Sequence, residues 1–251
     1  MRNTVESGEE MRFENEEIHF KNALTIEGSA IYENCKIFCY EDGSTAAIEL
    51  AEDGELTFRE CEITFCGANG DDEYFISIDD GSLKMEHCKL YNLYRFVQGN
   101  YSELYVSDCE FLNSVQYVFA TDTDETAQIE NCRFLSREMP DFVGEKENIE
   151  QEASNPFSSA RRFGLFTGGV CGVIAGAALR HTSDYSPLLE GAFEMDDCTF
   201  EFDADMKRYA IEYLSDVSCT VSDCTFVNDR AVPAHYLDGN DITCMHCGFE
   251  V

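Results

Sequence analysis

Cysteine is the residue type that first suggests chemistry: the chain has 13 of them in 251 residues, and one tetrad, Cys244-Met245-His246-Cys247, is a CxxC enclosing a histidine. A tetrad of that kind is half of a zinc site or the centre of a redox motif. Zinc needs a second ligand pair and exchange chemistry needs a lowered thiol pKa. No second CxxC occurs, so no metal and no cofactor is expected. Carboxylates are the other abundant reactive type. Asp71-Asp72, Asp79-Asp80, Asp122 with Asp124, and Asp196-Asp197 are candidates for acid/base pairs or for holding a hard cation. Their contexts point elsewhere: Asp79-Asp80-Gly81 and Thr121-Asp122-Thr123-Asp124-Glu125 have turn composition. His19, His87, His181, His235 and His246 form no HExxH pair, and neither a nucleophile elbow nor a phosphate loop is present. The catalytic residues stay unassigned. The reading leans to a non-enzymatic protein and leaves activity open.

Composition narrows the classes further. Fifty acidic residues against 17 Lys and Arg give a net charge of −33, while 44% hydrophobic and 12% aromatic content supplies a core. A folded acidic protein follows, not a disordered tail. Direct binding to nucleic acid is not expected, since each phosphate contact needs a basic group. A protein partner, basic by complementarity, is. The first residues, MRNTVESGEEMRFENEE, lack the apolar stretch of a secretory leader, so a cytoplasmic location is expected. Buried free thiols suit that compartment, and an odd cysteine count in a chain of this size argues against a disulfide framework.

What must position these residues is a repeat. A polar residue, Cys, any residue, then Ile, Leu or Phe recurs eight times, at Cys35, Cys61, Cys88, Cys109, Cys132, Cys198, Cys224 and Cys247. Apolar residues stand five and three positions upstream, as in Leu56 and Phe58, Leu83 and Met85, Leu104 and Val106. Alternation at period two predicts a short strand, a two-residue bend holding the polar residue, and a second short strand. The motif cysteines are separated by 26, 27, 21, 23, 66, 26 and 23 residues, the 66 being about three units of 22. Coils of that length cannot bury their inner face alone, so they must stack, bringing like residues into ladders. In that register Cys244 and Cys247 are both core positions of one coil.

These units resemble coils of the right-handed parallel β-helix, the pectate-lyase-like superfamily, over about residues 11–136 and 191–251. The resemblance implies an all-β solenoid of about nine to ten coils. It implies little about activity, because that superfamily mixes enzymes, adhesins and scaffolds. Gly70-Asp71-Asp72 is similar to the acidic part of a polygalacturonase site, but the companion Gly-His-Gly and Arg-x-Lys elements are missing, so that role does not carry over. Met11, Phe13, Glu16 and Ile18 form a degenerate first coil, and residues 1–10 are expected as a polar cap or frayed tail. No comparable polar tract follows the last motif. The C-terminal coil is therefore expected to be covered by another copy, a partner or the inserted segment.

That insertion spans 137–190. Residues 138–162 are polar and read as an exposed loop, while 163–179, FGLFTGGVCGVIAGAAL, carry no charge. Gly164, Gly168, Gly172 and Gly176 recur every four residues behind Arg161 and Arg162. On a helix the four glycines would share one face and permit close packing against another helix or within a membrane. Against this stand the segment's shortness and the cost of glycine in a helix, roughly 1 kcal/mol each. The contrary expectation is a buried irregular coil or a short helix on the solenoid's flank. The leading functional reading is an acidic scaffold that binds a protein through its outer face or the insertion, with Arg161, Arg162 and the four glycines as candidate interaction residues. The alternatives are an effector whose glycine-rich segment is released near Arg161-Arg162, a carbohydrate-active enzyme, and an acidic mimic of nucleic acid.

Overall fold

The computed structural model describes residues 4–20, 23–39, 48–64, 74–91, 96–100, 102–112, 118–122, 127–136, 189–190, 193–202, 211–212, 219–227, 242–245 and 248–250. Each repeat folds as one coil of three strands. The first coil is β1 (Thr4–Val5), β2 (Glu10–Glu14) and β3 (Glu17–Phe20); the second is β4 (Leu24–Ile26), β5 (Ser29–Glu33) and β6 (Lys36–Cys39). The third comprises β7 (Ile48–Leu50), β8 (Glu55–Arg59) and β9 (Glu62–Thr64), and the fourth β10 (Ile76–Asp79), β11 (Ser82–Glu86) and β12 (Lys89–Tyr91). Then come β13 (Val97–Asn100), β14 (Glu103–Ser107) and β15 (Glu110–Leu112), followed by β16 (Phe119–Asp122), β17 (Ala127–Glu130) and β18 (Arg133–Ser136). The seventh coil is β19 (Leu189–Glu190), β20 (Phe193–Asp196) and β21 (Thr199–Phe202), and the eighth β22 (Ile211–Glu212), β23 (Cys219–Ser222) and β24 (Thr225–Val227). The ninth contributes β25 (Ile242–Met245) and β26 (Gly248–Glu250).

Stacking the coils makes three parallel sheets, called A, B and C in the order the chain visits them, with eight, nine and nine strands among the described residues. The two strands expected around each Cys are those of sheets B and C. The third strand, in sheet A, was not expected. Its apolar pairs, Leu24 and Ile26, Ile48 and Leu50, Ile76 and Ile78, are in register. Their distance from the motif Cys varies, because the corner between sheets A and B is two residues long after β4 and four after β7. Fixed-offset periodicity does not survive a corner of variable length. Within residues 1–10, β1 pairs with β4 and Val5 is buried.

Like residues stack on like. In sheet C, Ile18, Ile37, Ile63, Leu90, Phe111, Phe134, Phe200 and Phe226 form one column, and the register extends it to Phe249. The rings of Phe111, Phe134, Phe200 and Phe226 lie 4.6, 4.7 and 5.0 Å apart and within 5° of parallel. In sheet B, Phe13, Tyr32 and Phe58 stack at 5.0 and 5.3 Å. Aromatic pairs of this kind add about 0.5–1.5 kcal/mol each beyond their burial. Glycine is required where the A-to-B corners stack: a Cβ on Gly54 would come within 2.3 Å of the Ile26 carbonyl oxygen.

The coils on either side of the insertion are direct neighbours. Strands β16, β17 and β18 pair with β19, β20 and β21, Ile129 opposite Met195 and Phe134 opposite Phe200. Residues 137–188, and with them the segment 163–179 expected as a buried coil or a short helix, lie outside the described residues. Leu189 and Glu190 belong to sheet A, so the interruption ends two residues earlier than the sequence suggested. The interruption occupies the C-to-A corner, where β6 and β7, or β9 and β10, are also joined by the longer connections.

Candidate interaction surfaces and the thiol ladder

The B-to-C corner is where the repeat motif does its structural work. Its polar residue takes the left-handed conformation in each of the eight coils whose bend is described: Asn15, Asn34, Glu60, His87, Asp108, Asn131, Asp197 and Asp223 have φ between 49° and 57°. Asn and Asp tolerate that region better than other residues with a Cβ, which explains their prevalence. The turn carries the side chain outward and the following Cys inward. Asn34 donates from Nδ2 to Asn15 Oδ1 at 2.6 Å, Asn131 donates to Asp108 Oδ1, and His87 Nδ1 lies 3.7 Å from Asp108 Oδ2.

Behind this outer row, Cys35, Cys61, Cys88, Cys109, Cys132, Cys198 and Cys224 are buried free thiols. Each Sγ donates to the carbonyl two residues back, as Cys109 does to Ser107 at 3.2 Å and Cys224 to Ser222 at 3.1 Å. Cys61 and Cys198 also reach carbonyls of the preceding coil, Tyr32 at 3.3 Å and Ile129 at 3.4 Å. Thiols accept as well: the Cys88 N–H donates to Cys109 Sγ and the Cys198 N–H to Cys224 Sγ, both at 3.4 Å. Cysteine therefore serves a buried bend in two ways, filling space as a small hydrophobe and pairing backbone groups that the turn takes out of the ladder.

The same contacts shift the thiols in opposite directions along the ladder. Burial pushes the Cys35 thiol up. Its hydrogen bond with Cys88, then burial, raises Cys61, and the bond with Cys109 pushes Cys88 up to about 12. Cys132 rises through its interactions with the neighbouring thiols Cys109 and Cys198, then through burial. The same contacts with Cys132 draw Cys109 and Cys198 the other way, downward. No described Lys or Arg approaches them to stabilise a thiolate, and a nucleophilic role has no support in the geometry.

Charge is distributed unevenly over the outside. Among the described residues every Lys and Arg, namely Arg12, Lys36, Arg59, Lys84, Lys89 and Arg133, stands on a strand of sheet B or C. On sheet C they alternate with acids along one column: Glu17, Lys36, Glu62, Lys89, Glu110, Arg133. Lys36 lies 3.7 Å from Glu62 and Arg133 lies 3.3 Å from Glu110. On sheet B, Arg12 bridges Glu14 and Glu33, while Arg59 and Lys84 each approach Glu86 at 3.0 Å. Partial burial raises the Glu86 carboxyl, but hydrogen bonds from Lys84 and Arg59 outweigh that and hold it below the usual carboxylate range.

Sheet A and the A-to-B corner have no such compensation. Glu27, Glu49, Glu52, Asp53, Glu55, Asp79, Asp80 and Glu103 are exposed there, with no Lys or Arg among the described residues of that face. Asp53, Glu55, Asp80 and Glu103 line a shallow recess of about 210 Å³ with Gly54, Gly81 and Ser82. A larger hollow of about 420 Å³ at the B-to-C corner is bordered by both signs, with Lys36, Lys89 and His87 beside Glu16, Glu17, Glu60 and Glu62. Among the described residues no group of three or more His, Cys, Asp or Glu could hold a metal ion, and no helix is long and apolar enough to cross a membrane.

The sequence-predicted residues divide accordingly. Seven of the eight motif cysteines are in one buried ladder, and Cys247 lies outside the described residues, so the CxxC with Cys244 is not described as a unit. Arg161, Arg162, Gly164, Gly168, Gly172 and Gly176 also lie outside them. Asp79-Asp80-Gly81 is a turn, with Asp80 at φ 57°. The acid-only corner went unrecognised as a surface. Its signal was the recurrence of Asp-Gly at Asp53-Gly54 and Asp80-Gly81, one coil apart.

No curated protein and no solved structure matches the chain. A family model for the right-handed beta helix region matches residues 17–155, more than half of the chain and five of the eight motif cysteines. With three parallel sheets, a single repeated corner and that match, the chain belongs to the right-handed β-helix family.

Proposed function

We propose that the protein is a non-catalytic acidic scaffold whose sheet A face and A-to-B corner bind a basic protein partner. The observation that carries this reading is the segregation of charge: every described Lys and Arg stands on sheet B or C, several of them paired with carboxylates there, and among the described residues the sheet A face and A-to-B corner carry acids alone. Uncompensated carboxylates of one sign steer an oppositely charged partner and set its on-rate. The coil spacing of about 4.8 Å repeats the corner acids along the axis, which suits an extended Lys/Arg-rich segment better than a compact ligand.

The test compares the charge-neutralised corner, Asp53→Asn with Asp80→Asn and Glu103→Gln, against a control that removes the same number of carboxylates from sheet C, Glu17→Gln with Glu62→Gln and Glu110→Gln. A fluorescent Lys/Arg-rich peptide is titrated with each protein at several salt concentrations. The corner variant is expected to lose about tenfold in affinity at low salt, from roughly 0.5 kcal/mol per exposed carboxylate, and the control clearly less. Equal losses in both variants would reduce the interaction to net charge and remove the surface assignment. A DNA-binding protein captured from a mixture and released by competing DNA would favour the nucleic-acid mimic instead.

A further inference from the structure

Over its first six coils sheet C is the described face on which charge balances. Its outward column reads Glu17, Lys36, Glu62, Lys89, Glu110, Arg133, acids and bases in equal number and all at least partly exposed. On sheet B the described acids outnumber the bases, and the described charged residues of sheet A are all acids. A second copy of a chain carrying −33 is therefore repelled least from the balanced side. The next outward column of sheet C has no carboxylate over these coils, and Thr64, Tyr91 and Leu112 are half-buried on it.

Order, as well as balance, distinguishes the charged column. Alternating signs in even number, read backwards, are their own complement. A second copy given a half-turn about an axis parallel to the strands, between the third and fourth coils, sets Glu17 against Arg133, Lys36 against Glu110 and Glu62 against Lys89, each contact occurring twice. A slip by one coil sets like on like throughout, so the signs fix the register. The corner row obeys the same axis: Asn15 meets Asn131, Asn34 meets Asp108 and Glu60 meets His87, with no carboxylate on carboxylate. Both rows border one surface, since Asn34, Glu60 and His87 share the hollow of about 420 Å³ with Lys36, Glu62 and Lys89. On the uncharged column Thr64 meets Tyr91.

From this we infer that sheet C is the contact face of an antiparallel homodimer, its occupant a second copy of this chain. The contact is isologous and closes at two. Six coils at about 4.8 Å make a strip roughly 25–30 Å long, which suits a weak association that depends on concentration. Sheet A and its acidic corner stay free, so the dimer neither requires nor blocks a basic partner there.

Sedimentation equilibrium of the full chain over a hundredfold concentration range up to about 0.5 mM tests it, at ~150 mM salt, where repulsion beyond about 8 Å is screened. Expected is a mass that rises from monomer to dimer and no further. Lys36→Glu sets acid on acid and Glu110→Lys sets base on base, and each alone should weaken the dimer about tenfold or more, since two exposed pairs turn from attraction to repulsion. Lys84→Glu on sheet B makes the same change in net charge as Lys36→Glu and should weaken it less than about twofold. Mixed in equal amounts, the Lys36→Glu and Glu110→Lys chains should associate with each other, because each substituted position then meets its opposite. Mixing cannot mend a folding defect. The corner variant Asp53→Asn with Asp80→Asn and Glu103→Gln should dimerise as the unsubstituted chain does. A strict monomer throughout, a mass that passes beyond the dimer, a mixture as monomeric as its parts, or loss of the dimer in the corner variant would overturn the inference.

Discussion

At the second corner one thiol answers two backbone groups. Cys109 donates to Ser107 and accepts from the N–H of Cys88 in the coil below. Cys109→Ala removes both partners and leaves that N–H buried and unpaired, which costs about 1–3 kcal/mol and is read as a lower urea midpoint. Raised thiols also set a pH dependence. An unfolded thiol ionises near ~8.5, so the stability held by Cys88 is complete below that value and is lost as the pH rises toward its folded value of about 12. The melting temperature should fall above pH ~9, and less steeply in Cys88→Ala. Outside the thiol, Glu60 holds φ 53° where most coils have Asn or Asp. Glu60→Asn is expected to stabilise by about 0.5–1 kcal/mol, seen as a rise in melting temperature, since Asn accepts the left-handed region more readily. This corner was legible in the sequence because Cys sits a fixed two residues before the apolar residue of sheet C and three after that of sheet B. The left-handed bend was foreshadowed only as a polar residue. The pairing of its side chains between coils depends on register, which no single repeat states.

Strands are held to one another by their outward columns as well as by the core. Along sheet C the order Glu17, Lys36, Glu62, Lys89, Glu110, Arg133 gives every inner member an opposite charge on both sides. Glu62→Lys would place three cations in a row. It is expected to cost about 0.5–1 kcal/mol at low salt and less at high salt, measured by thermal melts at two ionic strengths. The control change Thr225→Lys, whose column partners are Thr199 and Gly248, is expected to be close to neutral. Sheets B and C were legible from alternation around the motif. Sheet A was not, although its Ile48 and Leu50, Ile76 and Ile78 alternate equally well, because the corner after it changes length from coil to coil. Neither was the charge alternation, whose members lie 19 to 27 residues apart and become neighbours only when the coils stack.

For the whole molecule the direct pairing of β18 with β21 has a simple outcome. Replacing residues 138–187 by a connection as short as the one between β15 and β16 should leave the solenoid intact, with the melting temperature within a few degrees of the full chain and the same strand content by circular dichroism. Loss of cooperative unfolding in that variant would mean the segment supports the coils around it. The sequence showed where the repeat stops and resumes, but the interval of 66 residues was compatible with extra coils, and only strand pairing distinguishes an excursion from hidden repeats. The way the coils are joined also fixes how the molecule answers force. Hydrogen bonds between coils run along the axis while the chain runs across it, so a pull applied at the two ends loads one rung at a time and not a whole sheet in shear. Stretching should therefore peel the solenoid from its tips in a staircase, each step releasing one coil of 21 to 27 residues, about 70–95 Å of extended chain, with a single longer step of 66 residues where the interrupted coil gives way.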